Sequence, residues 1–206
     1  VLDAANPFFT DVARGAEARA VQDGFAVLLG NSDEDVTRET SYLDLFDEQR
    51  VAGLLITPVG DEMARLVRLR ERGTPIVLVD RQAESPGFSS VAVDDVAGGH
   101  LAVSHLVGVG RTRIAFVGGP RGIRQVSDRL EGARRAIAEH PTAELEVIET
   151  ESLTVVQGRT VGEVIRAREE SERPTAIFAA NDLLAVGLLQ GLTMLGGIRV
   201  PQDIAL

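Results

Sequence analysis

Residues 73–81 read Gly73-Thr74-Pro75-Ile76-Val77-Leu78-Val79-Asp80-Arg81. Gly73 stands where a C-terminal glycine would close the amphipathic stretch 61–72. Ile76–Val79 is too short for a helix and shows no polar alternation, the pattern of a strand buried on both faces. Asp80-Arg81 then places a carboxylate and a guanidinium where the apolar run stops. The same grammar recurs outward from here. Phe25–Leu29, Gly53–Ile56, Ile114–Val117, Leu145–Ile148 and Ala176–Ala179 read as strands, and 10–23, 36–49, 95–109, 125–139, 154–169 and 182–195 read as helices with apolar residues at 3–4 spacing. Gly24, Gly110 and Gly196 supply three more helix stops. An alternating β–α order at this spacing predicts an α/β fold of parallel sheets flanked by helices.

The alternation breaks once. Ser89–Val93 is strand-like, follows Ile76–Val79 without an intervening helix, and ends at Asp94-Asp95, good N-cap residues for the next helix. The βαβ pattern then restarts. Two similar lobes are expected: 1–94, with its first strand mostly missing, and 95–206, incomplete at its C-terminus. A tight strand-to-helix crossing between them suits a hinge.

Composition narrows the chemistry. The 206 residues are 44% hydrophobic and 25% charged, ordinary values for a globular protein. No apolar run approaches the ~18–20 residues of a membrane span, and the first residues lack the basic and apolar segments of a signal peptide. Cysteine is absent, which removes disulfides, thiolate zinc sites and thiol catalysis. All 21 basic residues are Arg, which removes a Walker lysine and a Schiff-base lysine. The net charge is −10, and residues 1–94 hold 17 acids against 9 Arg. Such a surface is a poor match for phosphate backbones.

Ligands of open parallel sheets sit beyond the carboxyl ends of the strands. The residues there are Asn6-Pro7-Phe8-Phe9, Thr57-Pro58, Asp80-Arg81, Gly118-Gly119-Pro120 and Asn181-Asp182. They contain no nucleophile–base pair. His100 and His105 are five apart, diverge on a helix and cannot share a metal. No catalytic residue, metal or cofactor is expected. Gly118–Gly122 follows a strand and could form an anion nest, although a plain loop is the better reading. What remains suits holding a ligand. Asp80 can accept from two adjacent hydroxyls, Arg81 and Arg129 offer donor forks, and Phe8 and Phe9 can stack on the apolar face of a sugar or base. Each has an alternative: core packing for the Phe pair, a loop ion pair for Asp80-Arg81, and a helix cap for Asn181.

In order and spacing, these segments resemble the effector-binding domain of LacI-family (lactose and purine repressor) transcription regulators, nearly end to end. The resemblance rests on Asn6–Phe9, Val51–Ile56, Pro75–Arg81, Val93–Asp95, His105-Leu106, Gly110–Gly119, Arg129–Gly132, Pro174–Asp182 and Val200–Ile204. It implies a periplasmic binding protein type I-like fold with a small-molecule effector, a sugar by its Asp80-Arg81 pair, held between two lobes. It assigns Asn6, Phe8, Phe9, Asp80 and Arg81 to the first lobe, and Arg129 and Asn181 to the second. Leu153 stands where many members carry a stacking Phe or Trp. The resemblance further implies a cytoplasmic homodimer that meets operator DNA through a headpiece not in this chain. Effector-driven lobe closure would alter operator affinity, and Arg129→Ala would abolish effector binding while leaving the fold intact. The alternative is a periplasmic-type sugar receptor for transport or chemotaxis.

Overall fold

Short apolar runs separated by capped helices pair in parallel, because each helix returns the chain to the same end of the sheet. The computed structural model describes residues 6–33, 35–59, 63–83, 87–194 and 196–206. The chain divides into two units, Val1–Val93 and Asp94–Leu206, each with a three-stranded parallel sheet.

The first unit runs α1 (Pro7–Gln22), α2 (Val36–Glu48), β1 (Leu54–Ile56), α3 (Ala64–Glu71), β2 (Ile76–Val79) and β3 (Ser89–Val91), with sheet order β1-β2-β3. Leu54 registers with Ile76 and Leu78 with Ser90. Leu54, Ile56, Ile76 and Leu78 face Leu43 and Phe46 of α2 and Leu66 and Leu69 of α3 in one buried cluster. The opposite face corrects the expectation of strands buried on both sides. Leu55 is half exposed, Val91 is 68% exposed, and α1 buries none of its residues.

Two further expectations fail here. Phe25–Leu29 is not a strand: among the described residues nothing pairs with it, and Phe25, Leu28 and Leu29 are exposed. A strand exists only through its ladder, so β-propensity without a neighbour leaves irregular backbone. The Asn6–Phe9 segment is not a loop but the start of a helix. Asn6 caps α1 by accepting from the Phe8 N–H at 3.1 Å, and Pro7 occupies the first turn, where its missing N–H costs nothing. The helix therefore starts three residues before the apolar period does. The first strand anticipated before it lies outside the described residues.

The second unit runs α4 (Asp95–Gly108), β4 (Arg113–Val117), α5 (Arg124–Ala138), β5 (Glu144–Ile148), α6 (Val155–Ala167), a 3₁₀ turn at Glu170–Glu172, β6 (Ala176–Ala179) and α7 (Asp182–Thr193), with sheet order β5-β4-β6. Its central strand is covered on both faces. Ile114 and Phe116 pack with Val103, Val126, Leu130 and Ala133 of α4 and α5. Ala115 and Val117 pack with Ile165, Leu188 and Leu192 of α6 and α7. The helix stops Gly24, Gly73, Gly110 and Gly196 all have positive φ, 79°, 98°, 88° and 74°, the left-handed conformation a Cβ would oppose. Two motifs far apart in sequence meet here. The Arg111 guanidinium donates to the carbonyls of Pro201 (2.6 Å) and Gln202 (3.2 Å). The Arg199 guanidinium and backbone N–H together hold the Asp203 carboxyl down at about 2. So anchored, the 199–205 segment lies along β6, with Ile177 N–H donating to Ala205 O at 2.7 Å.

Candidate functional site

The C-terminal edge of the second sheet collects polar groups from four elements. Asp94 caps α4, accepting from the Ala97 N–H at 2.8 Å. One carboxylate satisfies that cap, so Asp95 is available for another partner. It receives the Nε–H of Arg129, from α5, at 2.8 Å. The pair is largely withdrawn from water, with side-chain exposure of 9% for Asp95 and 29% for Arg129. Arg129 Nη1 donates to the carbonyl of Ala180, which follows β6. Burial lifts the Asp95 carboxyl above its ordinary value, Arg129 pulls it back, and the charges of Asp128 and Asp94 add to the lift.

Asn181 completes this edge, but largely as a structural group. Its Oδ1 accepts from the Leu184 N–H at 2.9 Å and caps α7, while its Nδ2 donates to the Leu153 carbonyl at 3.2 Å. The Leu153 side chain is partly buried against the α4–α5 face of the core. The glycine loop after β4 also has a packing reason. A Cβ on Gly119 would overlap the backbone of Thr150, so glycine lets the loops after β4 and β5 touch. Outside the edge, His100 bonds through Nε2 to Glu139 at 3.1 Å.

In the first unit, Asp80 follows β2 with φ of 56°, a conformation Asp tolerates better than most residues. Its N–H donates to Val91 O at 2.8 Å, extending the β2–β3 ladder one residue. Thr57, after β1, donates its hydroxyl to Val79 O at 2.8 Å. Beside them lies a buried carboxylate, Glu39 of α2, which accepts from the Val59 N–H at 2.7 Å. Burial raises the Glu39 carboxyl; the Val59 N–H and the positive charge of Arg81 oppose the rise. The Phe8 and Phe9 rings meet edge to face, centroids 5.0 Å apart. Phe8 is exposed, so core packing does not account for it in this unit.

All of residues 1–206 match the family described as periplasmic binding proteins and sugar binding domain of LacI family. The chain belongs to this family. Similar LacI-type relatives include the HTH-type transcriptional repressor PurR of Aliivibrio fischeri (31% identical, covering 100% of this chain and 61% of that protein) and the ribose operon repressor of Halalkalibacterium halodurans (31%, covering 99% and 59%). Among solved structures, a LacI family transcriptional regulator from Enterococcus faecium with bound ribose superposes with a TM-score of 0.84 at 27% identity, covering 99% of this chain and 73% of that one. The chain thus spans about 60% of the curated LacI-type relatives it matches.

The expected site residues therefore fall into separate groups. In the second unit Arg129, Asn181 and Leu153 stand together at the sheet edge. In the first unit Asp80 and Arg81 follow β2, and Asn6, Phe8 and Phe9 open α1. Asp95 and Glu39 are buried carboxylates beside these groups that the sequence does not single out as candidates. The doubled acid Asp94-Asp95 was the available signal for the first, since one helix cap consumes one carboxylate. Glu39 carries no local signal, because its partner Val59 is twenty residues away.

Proposed function

We propose that this chain is the effector-binding part of a LacI-family transcription regulator, that its effector is a sugar, and that the effector alters the affinity of the whole protein for operator DNA. The observation that carries the site is Arg129, held by Asp95 and the Ala180 carbonyl at the carboxyl edge of the second sheet. A guanidinium fixed in this way presents its remaining donors without the entropic cost of ordering a free side chain. The groups assigned to the ligand suit binding and orienting: they include carboxylates, guanidinium forks and the Phe8–Phe9 pair, of which Phe8 is exposed, with no nucleophile–base arrangement among them. The proposed role is accordingly binding without catalysis or a cofactor.

In this reading Asp80, Arg81, Asn6, Phe8 and Phe9 serve the ligand from the first unit, residues 1–93, and Arg129, Asn181 and Leu153 from the second, residues 94–206. Operator contact is assigned to a headpiece outside this chain, in a cytoplasmic homodimer. The acidic charge of the first unit fits a domain that does not itself touch phosphates. The names of the relatives, which are transcriptional repressors, favour this over a periplasmic receptor. Among the described residues no helix is long and apolar enough to cross a membrane. A thermal-shift screen of the full-length protein against sugars and purines tests the ligand class. A ligand at about 100 times its Kd adds about 2.7 kcal/mol of stability. The titrating sugar must also change operator binding in a gel-shift assay, because linkage makes the two effects reciprocal. A sugar that binds without moving operator affinity refutes the regulatory role.

A further inference from the structure

We propose that the binding edge of the second unit selects a neutral polyhydroxyl effector and rejects its phosphorylated or carboxylated counterpart. This rests on the sugar-binding role proposed above and specifies the charge class of the ligand.

An arginine in a binding site ordinarily suggests an anionic ligand, since its planar fork matches phosphate and carboxylate. Here part of that capacity is already used. Arg129 Nε–H is bonded to the Asp95 carboxylate at 2.8 Å, and Nη1 to the carbonyl of Ala180. The ion pair is mostly desolvated, with Asp95 at 9% side-chain exposure, so its internal neutralisation is only weakly screened by water. A phosphate drawn to Arg129 would meet Asp95 on the same guanidinium.

The surrounding charge points the same way. Asp94 and Asp128 both act electrostatically on Asp95. Arg124, the other nearby cation on α5, is occupied by Asp128 through Nε at 3.0 and 3.1 Å. Among these groups three carboxylates face two guanidiniums, an excess of negative charge. Of the helix N-termini in this unit, that of α5 follows Ile123 and has no side-chain cap, while three are answered by their own side chains: Asp94 for α4, Thr154 for α6 and Asn181 for α7. Those three are poor candidates for the helix-terminus phosphate binding seen in other α/β folds.

A neutral polyol fits what is left. Two of the five N–H donors of Arg129 are used in the bonds above, and a carboxylate has lone pairs beyond the one Asp95 gives to Nε. Adjacent hydroxyls can accept from the first and donate to the second. A phosphate oxygen can only accept, so it would offer no donor to the remaining lone pairs of Asp95 while adding repulsion.

The test is calorimetry on the full-length protein with matched pairs: D-ribose against D-ribose 5-phosphate, D-glucose against D-glucose 6-phosphate, and D-fructose against D-fructose 1-phosphate. The expected result is that at least one neutral sugar binds and its phosphorylated partner binds at least tenfold more weakly. Asp95→Asn and Asp128→Asn should each narrow that ratio severalfold. Asp128→Asn leaves the partner of Arg129 in place, and so decides the matter if Asp95→Asn fails to fold. A phosphorylated sugar that binds as tightly as its neutral partner, or more tightly, overturns the selectivity while leaving the sugar-binding role standing. A ratio unchanged in folded Asp128→Asn overturns the charge argument. Failure of every pair overturns the sugar-binding role and this inference with it.

Discussion

Replacing Arg129 by Met keeps most of the stem and removes the guanidinium. On sequence grounds this position should matter for ligand alone, but the structure makes it a stability position as well. The substitution strands Asp95, a carboxylate 9% exposed, and deletes the bond to the Ala180 carbonyl. Breaking a buried ion pair by removing one partner costs about 3–5 kcal/mol. Arg129 is 29% exposed, so the low end applies, about 3 kcal/mol at neutral pH. With a urea m-value of about 2 kcal/mol/M for a unit of this size, the unfolding midpoint should fall by about 1.5 M. The loss must also depend on pH. Arg129 pulls the Asp95 carboxyl down against its burial, so in the variant that carboxyl rises further. A raised folded-state carboxyl stabilises most below its unfolded value of 3.8 and loses that contribution as pH rises through the folded value. The gap between wild type and variant should therefore close on going from pH 7 to pH 4. The assay is urea unfolding of the full-length protein by circular dichroism at both values. A midpoint within about 0.3 M of wild type at pH 7, or an equal loss at both pH values, refutes the assignment of Asp95 and Arg129 as a coupled pair.

Glu39→Gln keeps an acceptor for the Val59 N–H and removes a charge whose burial is unfavourable. Because the Glu39 carboxyl is raised, its contribution is present below 4.5 and lost as pH rises, so the variant should match or exceed wild-type stability at pH 7 and lose that advantage below pH 4.5 in the same unfolding assay. Gly187→Ala would drive a Cβ into the Val155 carbonyl and the Arg159 nitrogen where α7 crosses α6; overpacking of about 2 kcal/mol should lower Tm by about 5 °C or more in calorimetry. Gly98→Ala on α4 meets open space and should raise Tm instead, by the few degrees that about 0.5–1 kcal/mol of helix propensity supplies. Asp80→Asn preserves tolerance of the φ of 56° and should leave Tm unchanged while weakening sugar binding, whereas Asp80→Val should lower Tm by straining that backbone.

The amino-acid sequence alone determined what depends on near neighbours in the chain. Ile76–Val79 and Ala176–Ala179 are strands because their runs are short, apolar and bounded by turn residues. Gly73 and Gly110 end helices because only glycine enters the left-handed turn without penalty. The family, too, was legible in the order of short motifs. What a single pass along the chain missed was decided by partners far away in it. Phe25–Leu29 has the composition of a strand, yet no described residue supplies its ladder. Asn6–Phe9 is the exception, a local feature: Asn6 accepts from the Phe8 N–H two residues on and makes the segment a helix start. Arg129 and Asp95 are 34 residues apart, and Glu39 and Val59 are 20 apart. No local spacing marks such pairs, because they form only when the sheet brings the ends of separate βα units to one edge. The sequence could name Arg129 as a ligand group; only the tertiary structure shows its charge already answered, and so changes which ligand it suits.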